Sequence, residues 1–286
     1  MPLQKDRGVK ALYVSDVDGT LTRKDAYPTP ETKEILSKLI REKGLNFTIA
    51  TGRSLGGAIL VKESLGIELP VVCFNGALCF DAENDRVVSM YPIESSLAQK
   101  ILDLFEEKEL PYRYCMFLEE RGGIISYRQI PMRFEITKSQ NKKTACPYEE
   151  VVVKKEIREH SKDGEILYIG HSDKKQRLLR LKDGLDSLEG ISYSIHSDPY
   201  VEDYWYIDIY SSRAGKDVGA RDVQKLISAD SLVTFGDNFN DLPLLKNADR
   251  SYTVPEADQS IKNIATGVLE DSPDCVARFI QKDFLR

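Results

Sequence analysis

Short apolar runs recur along the chain, each closed by small or acidic residues, and helical stripes lie between them. Ala11-Leu12-Tyr13-Val14 is the first run, and its brevity predicts a buried strand. A helix should open at Pro28-Thr29-Pro30-Glu31, with Thr29 as cap, Pro30 in the first turn and Glu31 near the positive helix end. Ile35, Leu36, Leu39 and Ile40 fall on one face of that helix, and Gly44 ends it. Leu45-Asn46-Phe47-Thr48-Ile49-Ala50 is the next strand. Strand, helix, strand predicts a parallel pair joined by a right-handed crossover. A third strand, Val71-Val72-Cys73-Phe74, runs into Asn75-Gly76-Ala77. Leu78-Cys79-Phe80 and Val87-Val88-Ser89-Met90-Tyr91 then form a hairpin through Glu83-Asn84-Asp85.

The rhythm breaks near Pro92. Residues 95–108 predict an amphipathic helix with Leu97, Ile101, Leu104 and Phe105 on one side. Short strands and helices rich in Tyr, Lys and Glu follow, up to about Asp198. The earlier rhythm is expected to return at Tyr200, with the strand Tyr204-Trp205-Tyr206-Ile207-Asp208-Ile209-Tyr210. Gly215-Lys216-Asp217 opens a helix carrying Val218, Val223, Leu226 and Ile227, and Asp217 is a good cap residue. Ser231-Leu232-Val233-Thr234-Phe235 is a buried strand ending in Gly236-Asp237-Asn238-Phe239-Asn240-Asp241. Leu242-Pro243-Leu244-Leu245 starts a helix, and the tail adds a strand at 251–254 and one or two helices over 261–280. This pattern predicts an α/β fold, a doubly wound parallel-sheet core over residues 1–90 and 199–286 with an inserted α+β domain at 91–198.

The first loop carries the candidate chemistry. Asp16 and Asp18 are presented at the carboxyl end of a strand, where open α/β sheets hold their ligands. Two crowded carboxylates repel and call for a cation, and a hard, oxygen-seeking ion such as Mg²⁺ suits them. A calcium loop is excluded by spacing, because its fifth and sixth positions are Thr20 and Leu21. A plain turn stays open on these residues alone. Thr51 is expected at a neighbouring strand end, where its hydroxyl and a free backbone N–H can bind an anion beside a helix start.

Composition narrows the class. A chain of 286 residues, 41% apolar and 30% charged, holds one large domain or two with a real core. The net charge of -6 argues against a nucleic-acid partner. Cys73, Cys79, Cys115, Cys146 and Cys275 are odd in number and lack paired spacing, so reduced thiols in a cytoplasmic protein are expected. The first ten residues hold no apolar stretch of a signal peptide, and no run approaches the ~18 apolar residues of a membrane span. Lys138, Lys142, Lys143, Lys154 and Lys155 make the middle section locally basic, which reads as solvated surface. His160, His171 and His196 have no metal-ligand spacing and are assigned no chemistry.

Four features now stand in order: Asp16-Val17-Asp18-Gly19-Thr20-Leu21, then Thr51-Gly52-Arg53, then Lys216, then Gly236-Asp237-Asn238-Phe239-Asn240-Asp241. In this the chain resembles the haloacid dehalogenase superfamily, and within it the Cof-like phosphatases with a C2B-type cap. The resemblance covers the core and the position of the insertion but not the insertion's details. It implies that residues 91–198 are a substrate-selecting cap. It implies Asp16 as a nucleophile forming an aspartyl-phosphate and Asp18 as general acid and base. It implies Mg²⁺ held by Asp16, Asp18 through its backbone carbonyl, and Asp237, with Asp241 bonding a metal water. Val17, Thr51, Gly52, Lys216 and Asn240 are implied to bind phosphate. Asp217 departs from the family, which commonly has Gly there, and a carboxylate in that place can perturb Lys216. The implied activity is hydrolysis of a small phosphorylated metabolite such as a sugar phosphate. A phosphomutase or a catalytically silent phospho-metabolite-binding protein is the alternative. Loss of Asp16, Asp18 or Lys216 would favour the silent protein, and all three are present. Arg121-Gly122-Gly123 and Tyr112-Arg113-Tyr114 can face the site, with surface or core roles equally open.

Overall fold

Strand β1 (Ala11–Ser15) is buried from its second residue on, and every later layer is built against it. The computed structural model describes residues 10–23, 25–129, 146–198 and 202–286. Lys138, Lys142, Lys143 and Tyr200 therefore lie outside the described residues. Helix α1 (Pro30–Lys43) starts where expected, with the Thr29 hydroxyl accepting from the Thr32 N–H, and Gly44 closes it. Strand β2 (Asn46–Ile49) pairs parallel with β1. Helix α2 (Leu55–Leu65), capped by Ser54, leads to β3 (Val71–Cys73). A parallel bridge between Ala50 and Val72 sets β3 beside β2. The hairpin is β4 (Leu78–Asp81) and β5 (Arg86–Met90), antiparallel to β3 and to each other in turn.

A second layer begins after Tyr91. Helix α3 (Ser95–Glu107) buries Leu97, Ala98, Ile101, Leu102 and Phe105, one face of 3.6-residue spacing. It covers a six-stranded sheet made by β6 (Arg113–Leu118), β7 (Gly123–Gln129), β8 (Glu149–Lys154), β9 (Glu165–Asp173), β10 (Ile191–Ser197) and β11 (Trp205–Ser211). The short helices α4 (Lys175–Leu178) and α5 (Lys182–Asp186) lie between β9 and β10. The strand order is β10-β11-β9-β6-β7-β8, antiparallel except for β7 with β8.

Strand β11 corrects one boundary. Its aromatic and apolar run was read as the return of the first domain at residue 199. Its full pairing with β10 and β9 puts it in the second sheet instead, and the chain leaves that sheet only after Ser211. From there it is α/β again: α6 (Lys216–Leu226), β12 (Ser231–Phe235), α7 (Leu242–Lys246), β13 (Arg250–Thr253), α8 (Gln259–Lys262), β14 (Gly267–Val268) and α9 (Cys275–Phe284). The parallel order is β14-β13-β12-β1-β2. Two short links, residues 91–94 and 212–215, join the layers, and Arg213 donates to the Pro92 carbonyl at 3.3 Å, tying one link to the other.

Aromatic contacts join the two layers. Phe74 packs on Tyr168 with ring centroids 6.0 Å apart, and Phe80 on Tyr148 at 4.9 Å. Glu149 reaches from β8 to accept from the Gly56 N–H at 2.6 Å, in the first turn of α2. A carboxylate there meets the positive end of the helix. All five cysteines are free thiols, and among the described residues no helix is long and apolar enough to cross a membrane.

Candidate active site

The carboxyl ends of β1, β2, β3 and β12 converge. The Asp16 N–H donates to the Phe235 carbonyl at 2.9 Å, so the ladder between β1 and β12 continues for one residue and holds Asp16 between the strands. Val17 is fully buried and anchors the turn, its carbonyl accepting from the Thr22 N–H at 2.8 Å. Asp237 follows β12, and the Thr20 hydroxyl donates to it across the cleft. Asp241 is fully buried, and its Oδ2 accepts from the N–H groups of Asp237 and Asn238, both at 3.0 Å.

Lys216, the first residue of α6, is inserted between two acids. Its Nζ donates to Asp16 Oδ1 and to Asp241 Oδ1, each at 2.6 Å, and its side chain is 2% exposed. Burial works against the Lys216 charge, but Asp16 and Asp241 overcome it and hold the proton well above the ordinary lysine range. Burial and the Asp241 charge push Asp16 well above the usual carboxylate range, against the pull of Lys216. Asp237 is pushed up to about 7, by burial first and then by Asp241. Asp217 is engaged elsewhere: Asn247 donates to its Oδ2 at 2.6 Å. The cap of α6 is Gly215 rather than Asp217, without a side-chain bond, because Asp217 lies two positions further into the helix.

Ligand atoms of Asp16, Asp237 and Asp241 lie within 4.8 Å of one another. Ionised together with Asp18 they would bring four negative charges, against which stand Lys216 and Arg53. Two uncompensated charges on hard oxygen donors fit one divalent cation such as Mg²⁺. The Asp18 carboxylate is not in the cluster. Arg53 holds it in a fork, Nε to Oδ2 at 2.8 Å and Nη2 to Oδ1 at 2.5 Å. That fork ties the Asp18 side chain to Arg53, apart from the three clustered carboxylates.

The expected anion-binding residues gather at the same mouth, with one correction. The Thr51 N–H is not free, since it donates to the Val72 carbonyl at 2.9 Å and continues the sheet toward β3. Its hydroxyl accepts from the Arg53 N–H at 3.1 Å and keeps its own proton to offer. Asn240 donates to Asn75 Oδ1 at 3.1 Å, and Gly52 lies against the same Asn75 amide. Arg53 and Asn75 were quoted within motifs but given no role, because nothing in a linear sequence aims a side chain.

The second sheet turns a polar face toward this cleft. Arg113 donates to Tyr168 at 2.8 Å, Tyr168 to Asp208 at 2.6 Å, and His196 lies 2.9 Å from the same carboxylate. Tyr112 and Tyr114 point to the opposite face, into the core under α3. Gly122 and Gly123 sit at the tip of the hairpin between β6 and β7.

The haloacid dehalogenase-like hydrolase family matches residues 13–280, and the chain belongs to it. It is an enzyme of the phosphatase type within that family. The chain is similar to the pyridoxal phosphate phosphatase YbhA of Escherichia coli, with 24% identity over 277 residues, covering 93% of this chain and 95% of the relative. It is similar to the phosphoglycolate phosphatase of Methanopyrus kandleri, with 26% identity over 277 residues, 95% of this chain and 96% of the relative. Among solved structures it resembles BT1666 of Bacteroides thetaiotaomicron, a phosphatase of the same superfamily, with TM-score 0.71, 19% identity, and coverage of 100% of this chain and 99% of the other. It also resembles the subclass IIB sugar phosphatase BT4131, with TM-score 0.68, 20% identity, and coverage of 97% and 100%.

Proposed function

We propose that this enzyme is a Mg²⁺-dependent phosphatase that hydrolyses a small phosphorylated metabolite, a sugar phosphate class of substrate, through an aspartyl-phosphate on Asp16. The observation that carries the reading is Lys216 seated between Asp16 and Asp241 beside Asp237, at the carboxyl ends of parallel strands. Asp16, Asp237 and the Asp18 carbonyl would hold the ion, with Asp241 behind them, and the ion would offset the charge of the transferring group. Residues 1–90 with the chain beyond Ser211 form the catalytic core in this reading, and the intervening sheet is the cap.

The chain's own groups supply the rest. A phosphate monoester repels nucleophiles, so catalysis rests on positioning and charge compensation. The Asp16 oxygen turned away from Lys216 attacks phosphorus, and an O–P bond forms as the bond to the leaving oxygen breaks. Asp18, protonated when substrate is bound, gives its proton to that oxygen, and the carboxylate this leaves takes a proton from the water that cleaves the acyl phosphate. Lys216, the Thr51 hydroxyl, the Val17 and Gly52 backbone and Asn240 surround the phosphoryl oxygens. The hydroxyl of Tyr168, carboxylate of Asp208, imidazole of His196 and guanidinium of Arg113 on the cap face suit a polyhydroxylated leaving group.

The test is a panel of phosphorylated metabolites assayed with Mg²⁺ and with excess chelator, joined to rapid-quench mass spectrometry. Turnover that stops in chelator, with a phosphoryl adduct on Asp16 that Asp16→Asn lacks, is the expected result. Full activity in metal-free protein, or an adduct that persists in Asp16→Asn, overturns the reading.

A further inference from the structure

We propose that Asn75 is a further phosphoryl-binding residue, its side-chain amide donating to an oxygen of the transferring group. This rests on the phosphatase reading above. Asn75 is 1% exposed, and its Nδ2 is buried without a hydrogen-bond partner among the described residues. Buried amide donors are nearly always satisfied, so an orphan one beside Gly52 and Asn240 points to a ligand acceptor. Its other atom is already engaged, since Oδ1 accepts from Asn240 Nδ2 at 3.1 Å. On the opposite side the amide lies against Gly52, where a Cβ would come within 3.2 Å of Oδ1 and 3.3 Å of Nδ2. The orphan donor thus sits between two residues assigned to the phosphoryl group, Gly52 and Asn240.

The backbone is arranged to hold it there. Phe74, Asn75 and Gly76 carry φ values of 51°, 53° and 93°, three consecutive residues in the left-handed region. Two of the three are not glycine, and strain of this kind persists where the surroundings over-determine it, commonly at functional sites. The turn is clamped on two sides. The Phe74 N–H donates to the Arg53 carbonyl at 2.9 Å and the Asn75 N–H to the Thr51 carbonyl at 3.0 Å. Gly76 packs so closely on Gly215 that a Cβ would stand 2.0 Å from the Gly215 carbonyl oxygen. One turn therefore touches the loop after β2, the residue before Lys216, and the loop after β12.

Two substitutions separate a donor from a brace. Asn75→Gly removes the amide and relieves the left-handed strain, so the fold is kept. Asn75→Asp keeps the oxygen that accepts from Asn240 and replaces the donor by an acceptor. Inorganic phosphate binding by calorimetry in Mg²⁺, kcat/KM on an aryl phosphate and thermal stability are measured for each. A donor role gives a loss on the order of 10²-fold in kcat/KM for both variants, with weaker phosphate binding, greatest in Asn75→Asp, and no fall in stability for Asn75→Gly. An Asn75→Asp near wild type, or an Asn75→Gly that binds and turns over like wild type, overturns the proposal. A wild type that neither binds phosphate nor hydrolyses the ester overturns the phosphatase reading, and this proposal with it.

Discussion

Arg53 closes a two-point fork on Asp18, with Nε 2.8 Å from one carboxylate oxygen and Nη2 2.5 Å from the other. Both oxygens of the proposed acid–base are thereby oriented, by a residue only 35 positions away in sequence but on the next strand-end loop. A planar guanidinium makes that geometry and an ammonium does not.

Replacing the fork should separate substrates by leaving group. In Arg53→Gln, Asp18 loses its orientation, and turnover of an alkyl or sugar phosphate should fall about tenfold or more, within the range of acid–base effects. An aryl phosphate, whose leaving group needs little protonation, should fall less. The pair is partly exposed, so stability should change by no more than about 1 kcal/mol. Parallel kcat/KM measurements on the two substrates check this, and equal losses on both would remove Arg53 from the proton-transfer step.

Divalent metal should stabilise the fold, and Asp237 should be where that stabilisation originates. Mg²⁺ at 100 times its Kd adds about 2.7 kcal/mol by mass action, which thermal denaturation reads as a rise in Tm. Asp237→Asn keeps an oxygen for the Thr20 hydroxyl and removes one of the crowded charges. Its metal-free Tm should match or exceed wild type, while its response to Mg²⁺ should be largely lost. A variant that responds like wild type would move the ion elsewhere.

Lys216→Met should be costly in a different way. It leaves Asp16 and Asp241 buried without their shared cation, and breaking such a pair costs about 3–5 kcal/mol. Urea denaturation should show this loss, and activity should vanish with it. A destabilisation under about 1 kcal/mol would mean that the carboxylates hold a proton in place of the lysine charge.

His171 sets a pH dependence far from the chemistry. Burial against Phe105 holds its imidazole down to about 4, with Asp173 pulling up and Arg113 and Arg177 pushing down. The unfolded chain takes up a proton near 6.5 that the folded chain refuses until about 4. The folded state binds fewer protons across that window, so stability is full above about 6.5 and falls as pH drops toward 4, by at most about 3 kcal/mol from this group. Chemical denaturation between pH 7 and 4.5 should give a flatter profile for His171→Gln than for wild type. Identical slopes would refute the assignment.

The legible parts of this molecule were those written locally. Strand ends, caps such as Thr29 and the order of Asp16, Thr51, Lys216 and Asp237 follow from neighbouring residues and short-range geometry. Strand β11 was recognised as a strand but given to the wrong sheet, since an aromatic run states that it will be buried and not against what. The same limit hid the Arg53 fork, the Asn75 contact with Asn240 and the use of the Thr51 N–H. Each is a pairing across loops that only the closed sheet brings together. Asp217 misled for the opposite reason: a good capping residue was two positions from the true cap, and its carboxylate found Asn247 instead.

The two links between the sheets carry a mechanical consequence. They run side by side, stitched by Arg213 to the Pro92 carbonyl, and Lys216 begins one residue beyond the second. A body attached through two adjacent strands swings about that seam like a door, and displacement grows with distance from it. Lys216 stands at the jamb, where any such swing least disturbs the charge that holds Asp16 and Asp241 together.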